Sequence, residues 1–116
     1  MTGAVAHPGL ADGRWQTLTI VEQLANVGSE VERALRAHER GLVQRRDAAI
    51  DRALELFDLT AVDERWRGPR RREVLRAREE FCALFWGDPP HASRAASVKQ
   101  YFLQFAVAAR RPPIPE

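Results

Sequence analysis

The apolar residues of the segment TLTIVEQLANVGSEVERALRAHERG recur every three or four positions, which restricts this part of the chain to an amphipathic α-helix. Thr19 followed three residues later by Glu22 is a capping-box pattern, which predicts that the helix begins there. Gly41 stands where helices commonly end in a left-handed residue. Gly28 interrupts the pattern, and we expect it to permit the close approach of another helix. The residues predicted to face the core are Ile20, Leu24, Val27, Val31, Leu35 and His38.

Three further segments carry a helical pattern. The second helix is predicted over about Val43–Leu59, and the third over about Pro69–Trp86, because proline suits the first turn of a helix. The fourth is predicted to begin at Ser93 or Ser97 and to end near Arg110. No segment shows the alternation of a β-strand, and the connections are short enough for antiparallel neighbours. The sequence therefore predicts an all-α fold, a single up-down antiparallel four-helix bundle.

With 116 residues, the chain fits one domain with two loose ends. We expect residues 15–110 to form the bundle, residues 1–14 to be a disordered leader that does not resemble a signal peptide, and the proline-rich residues 111–116 to be a disordered tail. The single cysteine, Cys82, cannot form an internal disulfide, and no apolar run approaches the ~20 residues needed to span a bilayer. These features predict a cytoplasmic protein without membrane contact.

The segments WQTLTIVEQLANVGSEVERA, RALELFDLT and YFLQFAVAAR resemble a family of small prokaryotic all-α proteins to which no activity is assigned. The resemblance covers roughly Trp15 to Arg110, which is most of the chain. It implies a prokaryotic source and a compact helical domain. It carries over no activity, cofactor or site residue.

The stretch RWRGPRRREVLRAR, from Arg65 to Arg78, is strongly basic, since half of its residues are arginine and its one acid is Glu73. Cations in the first turn of a helix oppose the helix macrodipole, so an anion is expected beside them. Guanidinium groups bind phosphate well, and Trp66 is a candidate for stacking on an unpaired base. The predicted nucleic-acid-binding residues are Arg65, Trp66, Arg67, Arg70, Arg71, Arg72 and Arg76.

An alternative interpretation treats this stretch as an ordinary solvated helix face. The whole chain has a formal net charge of only +2, and all of its 18 lysine and arginine residues except Lys99 are arginine, as a GC-rich genome would also produce. In this interpretation nearby glutamates pair with the arginines, and Trp66 caps one end of the bundle. The candidate partners are Glu64, Glu73, Glu79 and Glu80.

The segment RALRAH places His38 five residues after Arg33, an Arg-x4-His spacing that resembles the catalytic motif of HEPN ribonucleases. Those enzymes are helical dimers in which the histidine and arginine of two protomers meet at an RNA phosphate, so that histidine moves a proton while arginine holds the phosphate. The resemblance implies a ribonuclease or a toxin–antitoxin component. It departs from the family pattern at Ala34, where a polar residue is preferred, and in lying on the first helix. The alternative is a structural His38 at the negative end of a helix.

No metal or cofactor is predicted. His7, His38 and His91 are far apart in the sequence, no Glu-x-x-His pair occurs, and Cys82 has no partner at a zinc spacing. Acids near the apolar stripes are instead predicted to pair with arginines of neighbouring helices, which would fix the register of the bundle. These acids are Glu30, Glu55 and Asp58, and the candidate partners are Arg33, Arg76 and Arg78.

The fourth predicted helix is apolar on more than one face, because Leu103 and Val107 lie beside the stripe of Tyr101, Phe102 and Phe105. No helix of a four-helix bundle is central, so the excess predicts an interface with a larger protein or a second copy. Together these features predict a non-enzymatic helical accessory module that docks or oligomerises and contacts the backbone of RNA or DNA. The alternatives are a HEPN-like ribonuclease and a pure protein–protein adaptor.

Overall fold

The computed structural model describes residues 13–86 and 92–110. Within them the chain forms four α-helices, which confirms the predicted all-α bundle: α1 (Ile20–Glu39), α2 (Val43–Ala61), α3 (Pro69–Trp86) and α4 (Ala92–Arg110). Short 3-10 turns at Trp15–Thr17 and Glu64–Trp66 precede α1 and α3. Helix α1 packs against α2 and α4, and α3 also packs against α2 and α4, so the four helices form a closed ring.

The predicted leader and tail lie almost wholly outside the described residues. Of residues 1–14 the structure describes only Gly13 and Arg14, and it describes none of residues 111–116. Their predicted disorder, and the domain limits at 15 and 110, therefore stay predictions. Helix α4 begins at Ala92, one residue before Ser93, so neither serine predicted as its N-cap precedes the helix.

Both ends of α1 have the local interactions that its sequence predicts. At the start, the N–H of Glu22 donates to Thr19 Oγ1 at 3.1 Å and the N–H of Thr19 donates to Glu22 Oε1 at 3.0 Å, which completes the capping box. At the end, Gly41 has a φ of +69°, and the N–H of Leu42 donates to the carbonyl of Ala37 at 2.9 Å. This Schellman pattern turns the chain within a few residues, so α2 begins beside the last turns of α1.

The core consists of apolar residues from all four helices and from the turn at Trp15. The rings of Phe57, Phe81 and Phe102 pack together within it, with 5.9 Å between the centroid of Phe57 and that of each of the other two. Burial of such side chains is the main favourable contribution to folding, about 25 cal/mol for each Å² of apolar surface removed from water. The predicted stripe of α1 is confirmed by its buried members, Leu24, Val27, Val31 and Leu35.

The predicted apolar stripe of α1 is wrong at His38, which is exposed, and two apolar residues of α3 and α4 are exposed as well. Leu75 is 41% exposed, because the buried stripe of α3 includes Val74 and Leu75 lies about 100° farther around the helix. His38 is exposed in the last turn of α1, and Ala109 is exposed in the last turn of α4. The buried stripe of α3 consists of Val74, Ala77, Phe81 and Leu84.

Gly28 allows α4 to approach α1 closely, as its position in the sequence predicts. A Cβ atom built at residue 28 would lie 2.8 Å from the Cβ and 3.2 Å from the Cγ of Phe102. The shorter of these separations is one that real Cβ atoms essentially never show. The backbone of α1 is therefore part of the surface on which Phe102 packs, and this contact sets the distance between the two helices.

Candidate nucleic-acid interface

Asp63 organises the chain between α2 and the predicted basic stretch. It follows the last turn of α2, and its side chain is 3% exposed. Its Oδ1 accepts hydrogen bonds from the N–H of Arg65 at 3.1 Å and from Arg65 Nε at 3.0 Å, while Oδ2 accepts from Nη2 at 2.7 Å. The bonds from the Arg65 side chain are the main cause that lowers the pKa of Asp63 to about 2, and the same pairing raises the pKa of Arg65. Arg65 is thus the counter-ion of a buried carboxylate.

Gln23 connects three segments of the chain at this end of the bundle. Its side chain is fully buried, and its Nε2 donates to the carbonyl of Trp15 at 2.9 Å and to Oδ2 of Asp63 at 3.0 Å. Its Oε1 accepts from Nε1 of Trp66 at 2.7 Å, so both amide hydrogens and the amide oxygen are used. Nε1 of Trp15 donates in turn to Oγ1 of Thr60 at 3.0 Å. We call these residues the Gln23 network: Trp15, Gln23, Thr60, Asp63, Arg65 and Trp66.

Arg65 and Trp66, two of the predicted nucleic-acid-binding residues, belong to the Gln23 network. Nη2 of Arg65 also donates to the carbonyl of Leu18 at 2.7 Å, which ties the α2–α3 connection to the residues before α1. The guanidinium carbon of Arg65 lies 4.4 Å from the ring centre of Trp66 and covers one face of the ring. Their observed contacts hold the fold together, and they occupy the groups that were expected to bind phosphate and to stack on a base.

Arg67 and Arg70 have acidic partners close to them in the sequence. Nε of Arg67 lies 2.6 Å from Glu64, and Nη1 of Arg70 lies 3.3 Å from Glu73. The other carboxylate oxygen of Glu73 accepts a hydrogen bond from the hydroxyl of Tyr101 at 2.6 Å. These are two of the pairs that the solvated-face interpretation predicts. Exposed pairs of this kind contribute only about 0–1 kcal/mol each, so a phosphate can compete with the glutamates.

Arg72 and Arg76 are the two arginines of this stretch whose side chains have no ion pair or hydrogen bond within the described part of the chain, residues 13–86 and 92–110. Both are exposed and lie one turn apart on α3. Arg71 is half-buried; its Nη2 donates to the carbonyl of Asp63 at 3.4 Å, and its Nε has no partner in the same ranges. We call Arg72 and Arg76 the α3 arginine pair.

A second group of arginines lines a groove of about 280 Å³ where α1 and α2 form a hairpin, and the sequence analysis did not predict it. Successive arginines of the groove are three and four residues apart along α1 and seven apart along α2. Such spacings place side chains on the same face of a helix, and they are the signal that the sequence contains. Only the turn at Gly41 brings the two rows together. We call this the basic groove: it is lined by Arg33, Arg36, Arg40, Arg45 and Arg52, with Ala37, Leu42, Ala48 and Ala49 between them.

Glu30 is buried beside the basic groove and pairs with two of its arginines. Its Oε1 accepts from Nη1 of Arg33 and its Oε2 from Nε of Arg52, both at 3.0 Å. Arg33 is a predicted partner of the buried acid, but it lies on α1 like Glu30; the pair that joins two helices is the one with Arg52, which the sequence analysis did not name. A second predicted pair joins Asp58 of α2 to Arg78 of α3 at 3.1 Å.

Arg33 and His38 project from different sides of α1, since five residues correspond to about 140° around a helix. His38 lies edge-on to Phe85, with 5.4 Å between the ring centroids, and its Nδ1 is 3.5 Å from Nη1 of Arg46. Arg33 points to Glu30 instead. Within one molecule the two residues do not converge, so the HEPN arrangement would require a second molecule. His38 does lie in the last turn of α1, where the structural interpretation places it.

Leu103 and Val107, the predicted protein-interface residues, form an exposed apolar surface on α4. They are 57% and 49% exposed, respectively, and lie one turn apart. The side chains around them are Gln100, Gln104 and Ala108. Neighbouring apolar side chains that remain in water mark a surface suited to contact with another molecule. We call Leu103 and Val107 the α4 outer face.

The other groups that could supply site chemistry are metal-binding side chains, Cys82 and Tyr101. Among residues 13–86 and 92–110 there is no group of three or more side chains suited to a metal ion, and His7 and His91 lie outside these ranges. Burial raises the pKa of the Cys82 thiol, which keeps it protonated at neutral pH. Burial and the hydrogen bond to Glu73 likewise raise the pKa of Tyr101. None of the described helices combines the length and the apolar character that crossing a membrane requires.

Comparison with known proteins identifies no family for this chain. No family model matches it, and no curated protein or solved structure matches it. The structure shows a small all-α protein of four helices, and the resemblance to a prokaryotic family stays a prediction.

Proposed function

We propose that the protein is a non-enzymatic helical accessory module. It docks on a larger protein or on a second copy of itself through the α4 outer face, and it contacts the backbone of RNA or DNA through exposed arginines. The contact is electrostatic, so binding tolerates changes in nucleotide sequence. A cytoplasmic location suits this role, and the single Cys82 is compatible with reducing conditions.

The observation that carries the nucleic-acid part of the proposal is the α3 arginine pair, Arg72 and Arg76. The first turn of α3 contains no acidic residue, so its arginines add to the positive pole of the helix dipole. A bound phosphate relieves this repulsion and accepts hydrogen bonds from the guanidinium groups. Arg67 and Arg70 can join the contact by exchanging a glutamate for a phosphate. The proposed contact leaves out three residues that are engaged within the fold, Arg65, Trp66 and Arg71.

The docking part of the proposal rests on the α4 outer face. Helix α4 is covered by α1 and α3, yet Leu103 and Val107 remain about half exposed on its outer side. Covering them with a partner removes apolar surface from water, which stabilises a complex by about 25 cal/mol for each Å² buried. The partner is either a larger protein or a second copy of this chain.

The nucleic-acid part is tested with two double variants that change the net charge equally. Arg72→Glu/Arg76→Glu reverses the α3 arginine pair, and Arg14→Glu/Arg94→Glu reverses two exposed arginines elsewhere. Affinity for a labelled homothymidine oligonucleotide is measured by fluorescence anisotropy at low salt, with helicity checked by circular dichroism. We expect the first variant to bind at least about tenfold more weakly than the second. Equal affinities would contradict the contact at α3.

The alternative functions predict different results for RNA cleavage, nucleic-acid binding and partner binding. A HEPN-like ribonuclease would cleave RNA, and His38→Ala would abolish the cleavage. This alternative requires a dimer, because Arg33 and His38 of one molecule project from different sides of α1. A pure adaptor would bind no nucleic acid, and it would lose its protein partner when the α4 outer face is made polar.

A further inference from the structure

We propose that the basic groove between α1 and α2 is a second binding site for the phosphate backbone of nucleic acid. The inference rests on the proposed function, because it assigns the same class of ligand. It concerns different residues, since the groove lies along the first half of α2 and the α3 arginine pair follows the end of α2.

The arginines of the groove carry more positive charge than the neighbouring glutamates can neutralise. Glu30 is shared by Arg33 and Arg52, and Glu32 pairs with Arg36 at 2.8 Å. The remaining two arginines of the groove are Arg40 and Arg45. Both are exposed, and neither has an acidic partner in the described part of the chain. No carboxylate is among the residues that line the groove. The guanidinium groups therefore repel one another, and an anion that enters the groove is attracted by all of them.

The start of α2 adds backbone donors to the groove. Its N-cap residue is Leu42, which lines the groove and whose side chain cannot accept the free N–H groups of the first turn. The first turn contains no acid; instead it contains Arg45, a cation at the positive pole of the helix dipole. Arg40, the C-cap residue of α1, lines the same groove. A phosphate bound here receives hydrogen bonds from backbone N–H groups and from guanidinium groups together.

The dimensions of the groove favour a chain of phosphates over a single small anion. Arg33 of α1 and the C-cap residue Arg40 are seven residues apart, as are Arg45 and Arg52 of α2, so each row extends for about 10 Å. Successive phosphates on one strand of a duplex are about 3.4 Å apart along the axis and are farther apart in an extended single strand, so each row is long enough for about two to three of them. Room for the sugar and base exists between the rows, where the side chains are mostly short: Ala37, Ala48 and Ala49.

The test uses the full chain and charge-matched pairs of substitutions. Arg40→Glu/Arg45→Glu reverses the two groove arginines without an acidic partner among the described residues, so both ion pairs of Glu30 remain. Arg14→Glu/Arg94→Glu is again the control. Binding of labelled homothymidine and homouridine oligonucleotides is measured by anisotropy at several salt concentrations. We expect at least about a tenfold loss of affinity relative to the control, and a decrease of about one to two in the slope of log affinity against log salt.

A second variant keeps the test decisive if glutamate at these positions lowers helicity. Arg40→Gln/Arg45→Gln removes the charges without adding repulsion, and we expect it to weaken binding to a smaller extent. Substitutions at the two sites are separable, because α2 rises about 24 Å from Arg45 to its end.

The outcomes distinguish this inference from the proposed function. If the groove variants bind like the control while Arg72→Glu/Arg76→Glu binds weakly, the groove is not a site and the proposed function stands. If only the groove variants lose affinity, the groove is a site and the contact at α3 is wrong. No binding by the wild-type protein overturns both. Polyglutamate is used as a competitor for the labelled oligonucleotide. If it competes as effectively as unlabelled nucleic acid, the assignment to phosphate is overturned and an acidic protein partner is indicated.

Discussion

The carboxylate of Asp63 is buried and accepts hydrogen bonds from Arg65 and Gln23. Burial alone would raise its pKa, but the bonds from the Arg65 side chain outweigh burial and lower the pKa from 3.8 to about 2. An acid whose pKa is lower in the folded state stabilises the fold above its unfolded-state pKa and loses this contribution as the pH falls to the folded-state value. For Asp63 the contribution is about 2 kcal/mol at neutral pH, and it is lost between pH 3.8 and about 2.

We predict that Asp63→Asn lowers the free energy of unfolding by about 2 kcal/mol or more at neutral pH, because Arg65 and Gln23 lose a charged acceptor. The difference from wild type shrinks as the pH falls from 3.8 to about 2, because the unfolded wild-type chain takes up the proton first and the folded carboxylate does so only near pH 2. Urea unfolding followed by circular dichroism over a pH series measures it. Asp47→Asn removes an exposed acid and is the control. A difference that stays constant across the series would mean that Asp63 is not the titrating group.

Gly28 is the residue at which helix propensity and packing oppose each other. Gly28→Ala favours the helical state by about 1 kcal/mol, but the new Cβ would lie 2.8 Å from the Cβ of Phe102. Overpacking of this kind costs about 1–3 kcal/mol, which exceeds or cancels that gain, so we predict a net loss of up to about 2 kcal/mol in the free energy of unfolding. Ser29→Ala, at the exposed neighbouring position, should leave stability almost unchanged. An alanine at residue 28 that stabilises the protein would show that α4 is not held this close to α1.

The helices themselves could be predicted from the sequence because their signals are local. The capping box of Thr19, the turn at Gly41 and the proline at residue 69 each lie within a few residues of the helix end that they determine. The exposed apolar surface of α4 was also predictable, since an excess of apolar residues is visible within one helix.

The Gln23 network and the basic groove could not be derived in the same way. Gln23 bonds to residues 8, 40 and 43 positions away in the chain, and no pattern within α1 names these partners. Its one signal is a polar residue inside an apolar stripe. The arginines of the groove are spread over two helices, whereas those of the basic stretch are contiguous and therefore conspicuous. Residues that follow one another in a helix point in different directions around its axis. For this reason few arginines of that stretch share a free surface.

At the level of α4, we predict that the protein self-associates through Leu103 and Val107, which remain in water in the single molecule. Leu103→Gln/Val107→Gln should abolish this association without loss of helicity, because neither side chain is in the core. Sedimentation velocity over a range of concentrations measures it. Leu75→Gln, an exposed leucine on α3, is the control and should associate like wild type. A wild-type protein that is monomeric at every concentration would contradict self-association and leave a larger protein as the partner.

In the whole molecule the arginine clusters and the apolar surface occupy separate places. The basic groove lies along the first half of α2, and the α3 arginine pair lies beyond the end of α2. The α4 outer face belongs to a helix that packs against α1 and α3. A protein arranged in this way can bind a partner through α4 while its arginines remain accessible. With a formal net charge of +2, long-range attraction to nucleic acid is weak, so binding depends on these local clusters.

The central claim is that the protein binds the nucleic-acid backbone. The most direct test measures the affinity of the unmodified protein for RNA and DNA, single-stranded and duplex, over a series of salt concentrations. We predict measurable binding at low salt, little dependence on nucleotide sequence, and a linear fall of log affinity with log salt. The slope should be about −0.7 for each phosphate contacted on a single strand and about −0.9 on a DNA duplex. No binding at low salt, or an affinity that does not change with salt, would contradict the claim.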